Sequence, residues 1–250
     1  MSRVIWEKVL APDTKSAPTV LKNEIYNDIV ENVRAYPEAT EAISIPDPKA
    51  FRSMSRSSVF LSHLVMEGVS EIKKFQTGTP FTVGIYCAVE NGPIDAPSTQ
   101  KILDQMAATD ASKFADFYRK FRNPKMYLKQ LPNLIPAQMG ISFNLQGPMN
   151  VYTHSTQGSI QALEQAEWDL KVGTVQAALV CTAHAFDDFL VVKRERVSDM
   201  RTICEGAGAM LLEPSEQFTN WSELLKEDKQ NWYGISDQIV NVLMSRKNSN

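Results

Sequence analysis

Cysteine and histidine are scarce in this sequence of 250 residues, which contains three of each. Cys87, Cys181 and Cys204 are odd in number and widely spaced, so they predict neither a disulfide framework nor a zinc site. Cys87 and Cys181 lie within apolar runs, which is typical of buried, unreactive thiols. Asp187 and Asp188 have no clear third ligand, so we predict a solvated turn there. We expect no metal and no cofactor.

Excess charge and long apolar runs are also missing. The formal net charge is −3, which gives no reason to expect a nucleic-acid partner. No apolar run reaches the ~18 residues of a transmembrane helix. Glu7 and Lys8 stand where a signal peptide needs apolar residues, so we expect a cytoplasmic protein. With 43% hydrophobic residues, the chain has enough apolar material for a sizeable core.

Short apolar segments alternate with segments of helical periodicity along the chain. Strands are predicted at residues 4–10, 81–89, 149–153, 175–183 and 207–212. Helices are predicted at residues 55–75, capped by Ser55, and at residues 98–108, 111–121, 156–172 and about 235–244. The proline-punctuated stretch 11–48 is predicted to be a surface excursion, and residues 123–136 a looser segment. This alternation predicts an α/β fold with helices on both faces of the sheet.

Several short segments match sequence motifs of one enzyme family. Residues 132–148 (PNLIPAQMGISFNLQGP) match the approach to its active site, and residues 151–158 (VYTHSTQG) match its Thr-Ala-Cys-Ser-Ser-Gly motif. Residues 175–185 and 204–213 (CEGAGAMLLE) match two later segments, although the first lacks the family's glycines and glutamate. Residues 52–56 match an Arg-Met-Ser-Arg element. Together these segments resemble the β-ketoacyl-acyl-carrier-protein synthases.

This resemblance implies a particular fold. It covers roughly residues 4–214 and implies one half of the thiolase duplication, a five-stranded mixed sheet with covering helices. Residues 1–214 would form a ketosynthase-like amino-terminal domain, and residues 215–250 a partly helical carboxy-terminal extension. The strand at residues 149–153 would lie at the sheet edge and pair with the same strand of a partner subunit, since unpaired edges invite pairing.

The chemistry of the resembled enzymes requires groups that this sequence lacks. Claisen condensation needs a cysteine thiolate and two histidines, which come from the second half of that fold. Here Ser155 stands in the place of the cysteine, and no histidine follows residue 185. The histidines present are His63, in a predicted amphipathic helix, His154 and His184. We therefore predict that the chain cannot catalyse condensation unaided.

Ser155 has two interpretations that the sequence leaves open. As the first residue before the predicted helix at 156–172, it would be a hydroxyl N-cap. As a nucleophile, it would serve an acyltransferase or thioester hydrolase, with His154 or His184 as the general base. Gln157 and Gly158 follow it directly and are candidate substrate-binding residues, and the glycine would permit close helix–sheet packing.

The resemblance extends most closely to chain-length factors, ketosynthase-like partners that lack the cysteine and that are sometimes shortened in aryl polyene pathways. Such a subunit would form a heterodimer with a full-length ketosynthase in polyketide or fatty-acid-type biosynthesis and wall off its acyl tunnel. By positional analogy, the candidate tunnel residues are Met106, Phe114, Phe117 and Tyr118. An acidic acyl carrier protein is a further expected partner, docking on an exposed charged surface at residues 193–196. A homodimeric acyl-binding protein is the remaining alternative.

Overall fold

The computed structural model describes residues 2–36, 49, 53–76, 78–153, 157–198, 200–216 and 230–247. The strands in these residues are β1 (Ser2–Leu10), β2 (Thr19–Asn23), β3 (Asp28–Arg34), β4 (Val83–Val89), β5 (Met149–Tyr152), β6 (Ala177–His184), β7 (Thr202–Cys204), β8 (Gly206–Pro214) and β9 (Asn231–Trp232). The helices are α1 (Arg56–Glu67), α2 (Val69–Lys74), α3 (Ala96–Ala108), α4 (Phe114–Phe121), α5 (Pro124–Gln130), α6 (Leu134–Phe143), α7 (Gly158–Lys171), α8 (Phe189–Ser198) and α9 (Asp237–Lys247).

The central sheet has five strands in the order β1-β8-β6-β4-β5. Strands β5, β4 and β6 are parallel, whereas β8 and β1 run antiparallel to their neighbours, so the sheet is mixed as predicted. Every residue of β4 and β6 is buried, which explains their continuous apolar sequences. Cys87 and Cys181 face each other across these two strands, and both are free, buried thiols as predicted.

Helices cover both faces of this sheet, which confirms the predicted α/β architecture. On one face, Leu64 of α1 packs in a cluster with Leu179 of β6. On the other face, Ala166 of α7 and Ile239 of α9 share a cluster with Val180. Leu179 and Val180 are neighbours in sequence and serve opposite faces because side chains alternate along a strand.

A second sheet, in the order β2-β3-β7-β9, was not predicted from the sequence. Strands β2 and β3 form an antiparallel hairpin within the stretch 11–48, so that stretch is not merely a surface excursion. The hairpin turn includes Asn27 at φ 45°, a conformation that asparagine tolerates better than most residues. The strands are short, and only one side of the hairpin packs inward, where Val30 and Val33 contact a cluster with Ile203. Because few residues of these strands are buried, their sequence gives only a weak indication of strand structure.

The predicted helix at residues 55–75 is two helices, α1 and α2. Ser55 caps the first as predicted, because its hydroxyl oxygen accepts a hydrogen bond from the backbone N–H of Ser58 at 3.2 Å. The break falls at Gly68, where an added Cβ would lie 2.5 Å from Cε2 of Trp6. The close approach of the indole therefore requires glycine at the junction of the two helices.

The stretch 123–136, predicted to be loose, is largely helical. Asn123 caps α5 by accepting a hydrogen bond from the backbone N–H of Lys125 at 3.1 Å, and Pro124 occupies the first helical position. Proline is favoured there because the missing N–H would have no helical partner. The prolines therefore mark helix starts in this stretch as well as turns.

Residues 230–247 pack back onto the same chain. Strand β9 pairs with β7, and α9, the helix predicted near residues 235–244, contacts β1, β8 and α7. The hydroxyl of Ser159 on α7 donates a hydrogen bond to the carbonyl oxygen of Ile235 at 2.5 Å. Within the described ranges, no helix combines the length and apolar character needed to cross a bilayer.

Candidate functional site

The carboxyl ends of β4, β5 and β6 meet at one edge of the central sheet, since these strands are parallel. In α/β sheets this edge is the usual place for a site. The predicted catalytic residues His154 and Ser155, together with Thr156, lie outside the described residues. Both flanks are described: Tyr152 ends β5, and Gly158 begins α7.

Gln157 and Gly158 lie at the start of α7, beside the candidate nucleophile. A Cβ on Gly158 would lie 3.6 Å from Cβ of Ala88 and 3.7 Å from Cβ of Tyr152, so the helix start packs closely on β4 and β5. The carbonyl oxygen of Gln157 accepts the first helical hydrogen bond, from Gln161 at 2.9 Å. The substrate-binding role of this pair stays a prediction.

His184 ends β6 and is enclosed by the protein. Its side chain is 1% exposed, and the rings of Phe186 and Trp232 lie 5.9 and 5.8 Å from its own, centroid to centroid. Gly234 packs so closely on the imidazole that a Cβ there would lie 2.6 Å from Nδ1. Neither ring nitrogen makes a hydrogen bond within the described chain. This enclosure favours a structural role, and general-base catalysis by His184 stays a prediction.

Glu195 of α8 lies beside His184, with Oε2 3.4 Å from Nε2. Burial lowers the pKa of His184 to about 4. Burial, with a smaller effect of the nearby Glu90 carboxylate, raises the pKa of Glu195 to about 8. Desolvation penalises both charged forms, and the pair is therefore neutral at pH 7.

Residues 193–196 do not form the free charged surface predicted from the sequence. Glu195 is 5% exposed, because α8, which the sequence pattern did not reveal, turns this side chain into the interior. Lys193 forms an ion pair with Asp28 at the start of β3.

A buried carboxylate, Glu205, binds backbone groups of the loops that follow β3 and β6. It lies between β7 and β8, is 1% exposed, and accepts hydrogen bonds from Nε and Nη2 of Arg56 at 2.8 and 2.9 Å. It also accepts the backbone N–H groups of Tyr36 and Phe186 at 2.9 and 2.7 Å. This paired, fully bonded carboxylate ties the loop after β6 to the start of α1. Both partners fall within the motif segments 52–56 and 204–213, but their pairing was not predicted.

Asp187 and Asp188 hold backbone groups rather than forming the solvated turn predicted from the sequence. Oδ2 of Asp187 accepts the backbone N–H of Arg56 at 2.6 Å, and Oδ1 of Asp188 accepts that of Leu190 at 2.9 Å at the start of α8. Burial raises the pKa of Asp187 to about 6. The described residues contain no cluster of three His, Cys, Asp or Glu side chains arranged to hold a metal ion.

A cleft of about 310 Å³ lies next to Asp187 and Asp188. It is bounded by the β2–β3 hairpin, the loop before α3, and α5. Its remaining lining residues are Asn23, Ile25, Tyr26, Pro93, Ile94, Ala96, Pro97, Met126 and Phe189. None of the candidate tunnel residues lines this cleft, so it is separate from the surface on which they lie.

Comparison with solved structures identifies the fold. One match is the AntDE:AntF complex, a type II polyketide synthase acyl-carrier protein with its ketosynthase bound to the hexaketide, at a TM-score of 0.64 and 15% identity over 86% of this chain and 63% of that one. The ishigamide ketosynthase/chain length factor matches at 0.58 and 16% identity, over 87% and 63% of the two chains. The ketosynthase ApeO with its chain length factor ApeC, from Xenorhabdus doucetiae, matches at 0.56 and 12%, over 86% and 58%. The chain has the thiolase-type ketosynthase fold.

The ketosynthase fold confirms the resemblance stated from the sequence motifs. The chain spans about three fifths of the length of the three matched structures. No protein-family model matches the sequence, and no curated protein does. The similarity to these structures is therefore one of fold, at identities of 12–16%.

Strand β5 is an edge strand of the ketosynthase fold, as predicted for residues 149–153. Within the described residues it pairs on one side only, with β4. The backbone N–H of Ile85 donates to the carbonyl oxygen of Pro148 at 2.8 Å. Because alternate residues of a strand direct their backbone groups to opposite sides, those of Met149 and Val151 point to the free edge.

The candidate tunnel residues lie on α3 and α4, outside the core of the ketosynthase fold. Met106 and Phe117 are partly buried, whereas Phe114 and Tyr118 are 49% and 43% exposed. The structure brings Phe114 and Tyr118 together in a stack with ring centroids 5.9 Å apart. No described residue of α4 or α5 is buried. The candidate tunnel residues are therefore partly or largely exposed in this chain, and their role in a tunnel stays a prediction.

Proposed function

We propose that this chain is a non-condensing, ketosynthase-like subunit that pairs with a competent ketosynthase and shapes its acyl tunnel, in the manner of a chain-length factor. The observation that supports this best is that β5, directly before the candidate nucleophile segment, pairs on one side only among the residues that the structure describes. An edge strand with unpaired backbone groups is a template for a strand of another subunit. Two of the matched structures combine a ketosynthase with a chain length factor.

The exposed aromatic face of α4 supports the same assignment. Phe114, Phe117, Tyr118 and Phe121 recur at spacings of three and four, so they share one face of a helix that buries none of them fully. An eight-residue helix is marginal in water without packing of its apolar face. A partner subunit that covers this face would stabilise α4 and would close the tunnel around the aromatic side chains.

The available side chains argue against condensation by this chain. Ser155 stands where the resembled enzymes carry cysteine, and a serine hydroxyl needs a general base in contact to become a nucleophile. His184 is enclosed and neutral. His63 lies on α1, where its Nε2 is 3.8 Å from Oε1 of Glu67. The enclosure of His184 withholds its imidazole from a substrate.

The edge pairing is tested by Val151→Pro, with Val151→Ala as the matched control. Both variants lose the isopropyl group, but only proline removes the outward backbone N–H, and proline is tolerated in edge strands. We expect Val151→Pro to abolish co-purification with a co-expressed full-length ketosynthase, and Val151→Ala to retain it. A complex of unchanged stability in Val151→Pro, measured by size-exclusion chromatography, would refute pairing through β5. A wild-type homodimer that never recruits a ketosynthase would favour the acyl-binding alternative.

The enzymatic alternative is tested by Ser155→Ala in the reconstituted complex. If the chain acts only as a scaffold, the complex that contains Ser155→Ala should give the same product lengths and amounts as the wild-type complex. Loss of product with an intact complex would instead assign acyl transfer or thioester hydrolysis to Ser155. The mass spectrum of the carrier-bound products provides the measurement.

A further inference from the structure

The cleft beside Asp187 and Asp188 lies outside the carboxyl ends of two neighbouring parallel strands. Pro93 and Ile94 of its lining follow β4, and the two aspartates follow β6. Ligands of α/β proteins bind in crevices at this edge of the sheet. The volume of the cleft, about 310 Å³, is at the lower end of the range for small-molecule sites, ~300–1,000 Å³. Its position and size therefore suit a small ligand.

Most of the cleft lining is apolar or aromatic. Tyr26 of the β2–β3 turn and Phe189 of α8 stack with ring centroids 5.9 Å apart and planes 14° apart. Ile94 and Met126 also line the cleft. Such a lining buries the apolar part of a ligand, and aromatic rings additionally attract cations.

The two carboxyl groups of the lining differ in their hydrogen bonds. Asp188 is held by backbone groups, since its Oδ1 accepts the N–H of Leu190 at 2.9 Å and its Oδ2 that of Ile94 at 3.3 Å. Oδ2 of Asp187 accepts the backbone N–H of Arg56 at 2.6 Å, whereas its Oδ1 is buried and has no hydrogen-bond partner among the described residues. Buried acceptors without a donor are unfavourable and rare. A donor group that enters the cleft would satisfy Oδ1.

The charges around the cleft favour a cation as that donor. Of the described residues that line it, two are acidic and none is basic. The guanidinium of Arg56 is already bound by Glu205. Lys129 of α5 acts on Asp187 through its charge, but the two side chains form no ion pair in the described part of the chain. An ammonium group carries only donors, so it complements unpaired carboxylate oxygens.

We propose that this cleft binds a small amine, whose ammonium group donates to Asp187 and whose apolar body lies against Tyr26 and Phe189. An anionic ligand would meet two carboxylates, and a neutral one would forgo the charge-assisted hydrogen bond. All of the residues invoked belong to one chain. The site therefore goes beyond the proposed subunit role and does not depend on it.

Amine binding should depend on the ionisation of Asp187. Burial raises the pKa of this carboxyl to about 6; the Glu205 carboxylate acts in the same direction, and Arg56 and Lys129 act against it. Asp188 is the other charged group that lines the cleft. Below pH 6 Asp187 is mostly protonated and no longer attracts an ammonium group. The Kd of an amine should therefore be about tenfold higher at pH 5 than at pH 7.

The proposal is tested by calorimetric titration of the full chain with three probes that share one apolar body and differ in charge. They are phenethylamine, phenethyl alcohol and hydrocinnamate. We expect phenethylamine to bind at pH 7, phenethyl alcohol to bind about tenfold more weakly, and hydrocinnamate not to bind.

Three variants locate the amine. Asp187→Asn keeps the shape of the side chain, and should raise the Kd of phenethylamine about tenfold and remove its pH dependence, with phenethyl alcohol unaffected. Asp104→Asn, an exposed position on α3, is the matched control and should change the Kd less than about twofold. Ala96→Trp fills the cleft from the start of α3 and should abolish binding of both probes. This variant decides the location if Asp187→Asn does not fold.

Each other outcome overturns the proposal in a distinct way. Equal affinity for phenethylamine and phenethyl alcohol would show that the cleft recognises only an apolar body. Tighter binding of hydrocinnamate would make it an anion site near Lys129. Amine binding that survives both Asp187→Asn and Ala96→Trp would place the amine elsewhere on this acidic chain. Absence of amine binding would refute the site, and would leave the proposed pairing with a ketosynthase untouched.

Discussion

Replacing Glu195 by glutamine should change how the stability of the chain depends on pH. The buried Glu195 has a pKa of about 8 in the folded chain, above the ordinary value of 4.5, because burial disfavours its carboxylate. Between pH 4.5 and 8 the folded chain therefore keeps a proton that the unfolded chain has released. The stability that this proton provides is complete below pH 4.5 and is lost as the pH rises. Glutamine has a similar shape and no such proton.

The magnitude follows from the two pKa values. At pH 5 the carboxyl is already mostly ionised in the unfolded chain, and at pH 7 it is still mostly protonated in the folded chain. Integrating the difference in bound protons from pH 5 to pH 7 gives a loss of about 2.5 kcal/mol for the wild type that the variant does not suffer. His184 and Asp187 also titrate abnormally, but both are present in the two proteins, so most of their effect cancels in the comparison.

Urea unfolding at pH 5 and pH 7 measures this difference. The free energy of unfolding of Glu195→Gln, relative to wild type, should rise by about 2.5 kcal/mol between the two pH values. Val197→Gln is the control, since Val197 is 79% exposed on the same helix and the change introduces no titrating group. A pH-independent difference would show that Glu195 is ionised in the folded chain. The assignment of a neutral Glu195–His184 pair would then be wrong.

Two further variants test the framework around the site. Glu205→Gln should lower the free energy of unfolding by about 2 kcal/mol, because it leaves the partly buried Arg56 without its carboxylate. Urea titration measures this loss. An unchanged midpoint would show that the ion pair does not stabilise the fold. Gly147→Ala should lower the melting temperature by several degrees, since the new Cβ would lie 2.2 Å from the carbonyl oxygen of Val83 and force β5 away from β4. Gly173→Ala is not a suitable control, because Gly173 has a positive φ that alanine would strain. Ala137→Gly is the control, because it changes the helix propensity of α6 without introducing a new Cβ.

The buried elements could be predicted from the sequence because burial leaves a strong pattern. Strands β4, β6 and β8 are continuous apolar runs, since helices cover both faces of the sheet. Helix α7 shows the periodicity of one buried stripe. The short strands β7 and β9 escaped prediction because each depends on a neighbour that is distant in sequence. A two- or three-residue strand has no periodicity of its own.

The candidate site was likewise predictable from the sequence only in part. The motifs placed Ser155 between β5 and α7, and the structure describes those two elements on either side of it. The burial of Glu195 and its contact with His184 could not be predicted, because residues 193–196 are a charged run that is indistinguishable locally from a solvated surface. The pairing of Arg56 with Glu205 likewise joins residues that are far apart in the chain.

The sequence by itself determined which segments are buried and that they belong to a ketosynthase-like fold, since apolar runs and motif order are local properties of the chain. Tertiary structure alone decided the environment of each charged side chain. Glu195 is enclosed, Glu205 is paired, and the cations around Lys120 are left open to solvent. The physical reason is that the cost of a charge depends on the water and the partners around it, and packing between distant segments sets both.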